Sequence, residues 1–120
     1  MPINTIVCMP DSPEKDQLLE DLDNEHFPPP LTTKDPQEIY ADWKEKLTDF
    51  QVAVVDLDHD ERELLVGIIK EDFPGADVLG ISKEGNEHPQ CRKNIPNYSG
   101  GINLYAHLLE MTGLQFNQGL

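Results

Sequence analysis

A chain of 120 residues is the size of one domain, long enough to bury about two-thirds of the surface its unfolded form exposes and too short for two full cores. Its 23 acidic and 9 basic side chains give a formal net charge of −14, so the surface repels phosphate backbones and anionic lipid heads, which argues against nucleic acid and membrane as partners. With 38% hydrophobic and 27% charged residues, the composition is that of a folded globular protein, and a single domain over 1–120 is expected.

The longest nearly unbroken apolar run, 64–69, falls far below the ~20 residues that span a bilayer. The N-terminus shows no basic start followed by an apolar stretch, so the sequence reads as soluble and cytoplasmic. Cys8 and Cys91 lack the number and spacing of a disulfide framework or a zinc site and read as reduced thiols.

Strand-length apolar runs alternate with segments of helical period, the pattern of a parallel sheet covered by helices. Thr5-Ile6-Val7-Cys8-Met9 is the first strand. A helix follows, with Ser12 as N-cap, Pro13 at its first position and Leu18, Leu19 and Leu22 as its apolar stripe, until His26-Phe27 and three prolines stop it. Leu31-Thr32-Thr33 gives a weak second strand, and Asp35-Pro36-Gln37-Glu38 opens a helix that buries residues among Ile39, Tyr40, Trp43 and Leu47. The run 51–57, with Val52-Ala53-Val54-Val55 at its heart, is the central strand and ends in Asp56, Asp58, Asp60 and Glu61. Leu64, Leu65, Ile68 and Ile69 recur at helical spacing up to Phe73-Pro74-Gly75, and a fourth strand covers 77–82. The last helix runs from about Gly101 to Met111, with Ile102, Tyr105, Leu108 and Leu109 inward and Gly113 as its stop. The polar segment 83–98 is shorter than the roughly 20 residues that a helix, a strand and their loops require, so an element there is reduced or missing.

In open parallel sheets, sites form outside the carboxyl ends of the strands, where Asp11, Asp56 and Ser82 stand. At these residues the chain resembles the receiver domain of bacterial two-component response regulators over nearly its whole length. The matching stretches are Pro10-Asp11-Ser12-Pro13-Glu14 with Leu18-Leu19, then Val52-Ala53-Val54-Val55-Asp56, then Leu64-Leu65 through Phe73-Pro74-Gly75 to Leu79-Gly80-Ile81-Ser82. The resemblance implies a three-layer, doubly wound α/β fold of flavodoxin/receiver-like order 2-1-3-4-5, here with the fourth helix reduced or missing. It also implies Asp56 as phosphoacceptor from a histidine kinase, an acid after the first strand, Asp11, holding Mg²⁺, and Ser82 contacting the phosphoryl oxygen. A hard cation and fixed donors are what the spread charge of a phosphoryl group requires.

The chain departs from that pattern in several places. Pro10 replaces the first acid, and the lysine that should precede a proline has no aligned counterpart, Lys93 lying three residues before Pro96. Asp58 stands where the family supplies only a backbone carbonyl; it either replaces the lost metal ligand or deepens a negative patch that excludes phosphoryl donors. Asp60 stands where proline is frequent. The expected function is therefore an atypical, stand-alone receiver-like module, not an enzyme. It would act through a protein partner, a histidine kinase or a downstream target, as a monomer or weak homodimer, with weak Mg²⁺ binding at Asp11, Asp56 and Asp58. One alternative is a phosphorylatable Mg²⁺-dependent receiver using Asp56, with Ser82 and Lys93 on the phosphoryl group. Another follows from Asp56-Leu57-Asp58, which looks like the Asp-x-Asp of haloacid-dehalogenase-type phosphatases. An EF-hand loop fails on Glu61 and Gly67, which replace the required glycine and glutamate. His59 reads as part of a solvated acidic loop, and His26, His88 and His107 as surface or helix-edge residues. Partner binding is expected to shift to the loop 83–96 and the last helix near Tyr98 and Tyr105.

Overall fold

The computed structural model describes residues 3–24, 27, 30–33, 51–98 and 102–113. Its five strands, β1 Thr5–Cys8, β2 Leu31–Thr33, β3 Val52–Asp56, β4 Asp77–Ile81 and β5 Lys93–Ile95, form one sheet in the order β2-β1-β3-β4-β5. Every pairing is parallel, with Ile6 opposite Leu31 and Ala53, Val54 opposite Leu79, and Gly80 opposite Asn94. Three described helices accompany it: α1 Pro13–Asp21, α2 Arg62–Asp72 and α3 Leu104–Thr112. The three-layer α/β arrangement and the strand order expected from the sequence are both present. The helix expected from Asp35 lies outside the described residues, as does His26.

Alternation along the strands divides the core. Ile6, Cys8, Ala53, Val55 and Val78 face Leu65, Val66 and Ile69 of α2. Val7, Val52, Val54, Leu79 and Ile81 face Leu18 of α1 and Leu104, Leu108 and Leu109 of α3. Such two-sided burial is why the strands read as continuous apolar runs rather than as alternating ones. The Ser12 hydroxyl caps α1 by accepting the Lys15 N–H at 3.1 Å. That helix ends at Asp21, short of the proline stop read from the sequence, with Leu22 buried just beyond its last turn. Leu64 is an exposed apolar side chain on α2, since Leu65, Val66 and Ile69 take the inward face. Gly113, in the left-handed conformation at φ 80°, ends α3 as expected.

Between β4 and β5 the chain forms no helix, and β5 is three residues long. The loop 83–92 itself lies against the sheet. An added Cβ on Gly80 would stand 2.7 Å from Leu57 Cδ1, 2.8 Å from Cys91 Sγ and 3.0 Å from Asn94 Oδ1, so glycine is what admits the loop to this face. The Asn94 side chain then ties the loop on both sides of one residue, accepting the His88 N–H at 3.0 Å and donating to the His88 carbonyl at 3.1 Å. His88 is buried, which corrects its reading as a surface residue. Its Nδ1 accepts the Gln90 N–H at 3.1 Å, which leaves the ring proton on Nε2 to be donated to Glu63 of α2 at 2.9 Å. The shortened connection is thus a bonded layer in place of a helix. Among the described residues, no helix is long and apolar enough to cross a membrane.

Candidate functional site at the carboxyl end of the sheet

The ends of β3 and β4 bring Asp56, Asp58 and Ser82 together. Asp56 is the last residue of β3, half-buried, and its Oδ1 accepts the Asp58 N–H at 3.0 Å, the short-range bond that turns the chain out of the strand. Burial raises the Asp56 carboxyl above the usual aspartate range. The bond from Asp58 N–H and the His59 charge oppose that rise, and the negative charges of Asp58 and Glu84 add to it.

Asp58 is turned towards β4. Its Oδ1 accepts the Ser82 hydroxyl proton at 2.5 Å and an Asn86 Nδ2 proton at 2.9 Å, and its Oδ2 accepts the Lys83 N–H at 2.8 Å. Burial works against this charge, yet the bonds from Ser82, Lys83 N–H, Asn86 and Glu84 N–H together hold the carboxyl below the ordinary value. Ser82, fully buried, is saturated as well. While its proton goes to Asp58, its Oγ accepts the Glu84 and Asn86 N–H groups at 3.0 and 2.9 Å. Its backbone extends the β4–β5 ladder, the N–H donating to Ile95 O and the carbonyl accepting from Tyr98 N.

Lys83 joins three elements at this end. Its Nζ lies 3.9 Å from Glu14 Oε1 on α1 and 5.3 Å from the centre of the Tyr98 ring beyond β5. Glu14 is buried, and its Oε2 has no hydrogen-bond partner among the described residues. Burial, together with the charges of Asp56, Glu14 and Asp58, pushes the Tyr98 hydroxyl up to about 12.

The other expected site residues are occupied differently. Asp11 is exposed, and its Oδ1 takes the Lys15 ammonium at 3.3 Å. Lys93, at the start of β5, pairs with Glu110 of α3 at 2.9 Å rather than with Asp56. His59 Nδ1 accepts the Glu61 N–H, and so closes its own turn. The Tyr105 hydroxyl accepts from Asn24, and its ring packs edge-on to Phe27 at 5.5 Å. Among the described residues, no group of three His, Cys, Asp or Glu side chains is arranged to hold a metal ion. Of the side chains expected around Mg²⁺, Asp58 accepts N–H or O–H donors on both oxygens and Asp11 Oδ1 takes the Lys15 ammonium. Lys83, Asn86, Glu14 and Tyr98 belong to this site without a motif to announce them. The signal in the sequence was only a turn-forming Ser82 and Asn86 after an apolar strand. No protein-family model, no curated protein and no solved structure matches the chain.

Proposed function

We propose that the chain is an atypical receiver-like signalling module that acts by binding a protein partner, with phosphorylation of Asp56 weak or absent. The flavodoxin-like order of the parallel sheet supports this reading, as does the position of Asp56 and Ser82 at the carboxyl ends of adjacent strands. One observation carries it: the hydroxyl that would steady a phosphoryl group on Asp56 already donates to Asp58. A negative charge held on Asp58 also opposes entry of a phosphoryl donor. Mg²⁺ binding is correspondingly weak on this reading. The same held charge weighs against the Asp-x-Asp phosphatase alternative, whose second acid must carry a proton to give to the leaving group. The partner, a histidine kinase or a downstream target, would meet this strongly acidic protein with a basic surface, in the cytoplasm.

Incubation with acetyl phosphate and Mg²⁺, followed by intact-mass measurement, tests the reading. The expected result is little or no added phosphoryl mass. Stoichiometric modification that disappears in Asp56→Asn would overturn it in favour of an ordinary phosphorylatable receiver.

A further inference from the structure

We propose that Ser82, Lys83 and Asn86 form an oxyanion cradle whose resident ligand is the chain's own Asp58, and that this carboxylate keeps the cradle closed to phosphate-class anions at neutral pH. The donors converge from one strand end: the Ser82 hydroxyl, the Lys83 N–H and the Asn86 side-chain amide, at 2.5, 2.8 and 2.9 Å from the two oxygens of one carboxylate. Converging donors of this kind form a concavity that suits any small oxyanion.

The cradle is built rather than incidental. Ser82 is fully buried, and two further N–H groups, of Glu84 and Asn86, orient its hydroxyl by donating to Oγ, so its proton has a fixed direction. Asp58 reaches it from a different element, two residues past β3, and its approach is fixed by its own N–H bond to Asp56. No spare lone pair or proton remains on Ser82, so an external oxyanion can take the hydroxyl only by displacing Asp58. A carboxylate attached to the chain competes at a high effective concentration, which is what shuts out a free ligand.

This inference rests on the receiver-like reading only for its choice of phosphate as competitor. It needs neither a partner nor modification of Asp56, so the acetyl phosphate experiment can fail or succeed independently of it. The test is a titration with inorganic phosphate at neutral pH, following the backbone amide resonances of Lys83, Glu84 and Asn86 in wild type, Asp58→Ala and Asp58→Ala/Ser82→Ala. Wild type is expected to show no saturable shift. Asp58→Ala is expected to bind at least about tenfold tighter, equivalent to ~1.4 kcal/mol, with the shifts confined to these amides and lost in the double variant. Asp58→Asn, which keeps size and an acceptor oxygen but no charge, covers loss of fold in the alanine variant and is expected to show the same shifts at smaller amplitude. Equal binding by wild type and variants, or no saturable shift in either folded single variant, would overturn the proposal.

Discussion

The two aspartates two residues apart have opposite electrostatic circumstances. Asp58 sits below its ordinary value of 3.8, because donors outweigh burial, so its contribution to stability is present above that value and is lost as pH falls through its lower folded value. Asp56 sits above 3.8 through burial first, so its contribution is fully present below that value and is lost as pH rises through its raised folded value. Urea denaturation at about pH 7 is therefore expected to find Asp56→Asn more stable than wild type and Asp58→Asn less stable, with both differences shrinking towards about pH 3. Two shifts of the same sign would contradict the assigned donors. Ser82→Ala removes one hydrogen bond to a charged group and takes away the acceptor of the Asn86 N–H, so a loss of ~2 kcal/mol is expected in the same measurement.

At the level of elements, the loop 83–92 takes the place of a helix because Gly80 lets it sit down on β4. Gly80→Ala drives a methyl into Leu57, Cys91 and Asn94, of which Leu57 is fully buried and Asn94 is held by His88, so neither gives way freely. The expected cost is ~1–3 kcal/mol of overpacking, together with faster hydrogen exchange at the amides of His88, Gln90 and Cys91. Adding Cys91→Ala to Gly80→Ala returns part of the lost space, and a double-mutant cycle is expected to show positive coupling between the two positions. Strict additivity would mean that the loop is not seated on Gly80.

The strands and the capped α1 were legible because apolar runs and a Ser-Pro start are local patterns, set by residues a few positions apart. Only the resemblance pointed to the fourth helix, while the reduction or loss of an element was legible from the length of the segment 83–98. What replaced it was not, since the seating of Cys91 on Gly80 and the clasp of Asn94 on His88 connect residues that no periodicity relates. Asp58 is the sharpest case. In sequence it was a spare acid beside Asp56, to be read as a metal ligand or a repulsive charge, and only the sheet register that sets the end of β3 beside the end of β4 gives it Ser82 as a partner. The burial of Glu14 was likewise hidden, because an acid in the first turn of a helix reads as solvated until the loop after β4 brings Lys83 to it.

For the molecule as a whole, the net charge of −14 works against compactness, since like charges are closer together in the folded chain than in the unfolded one. Raising ionic strength from about 0.01 M to about 0.15 M shortens the screening length from ~30 to ~8 Å. The melting temperature is expected to rise over that range. A fall would show that the surface ion pairs, such as Lys93 with Glu110 and Arg92 with Asp77, outweigh the general repulsion.

The bond between Asp58 and Ser82 also bears on time. An acyl phosphate on an aspartate hydrolyses, so a switch that depends on one carries a clock, and its output decays unless a donor renews it. A carboxylate that belongs to the chain never leaves. If ordering at Ser82 is what a partner reads, the duration of the message is set by how fast the protein is made and destroyed, and its strength by the number of copies present.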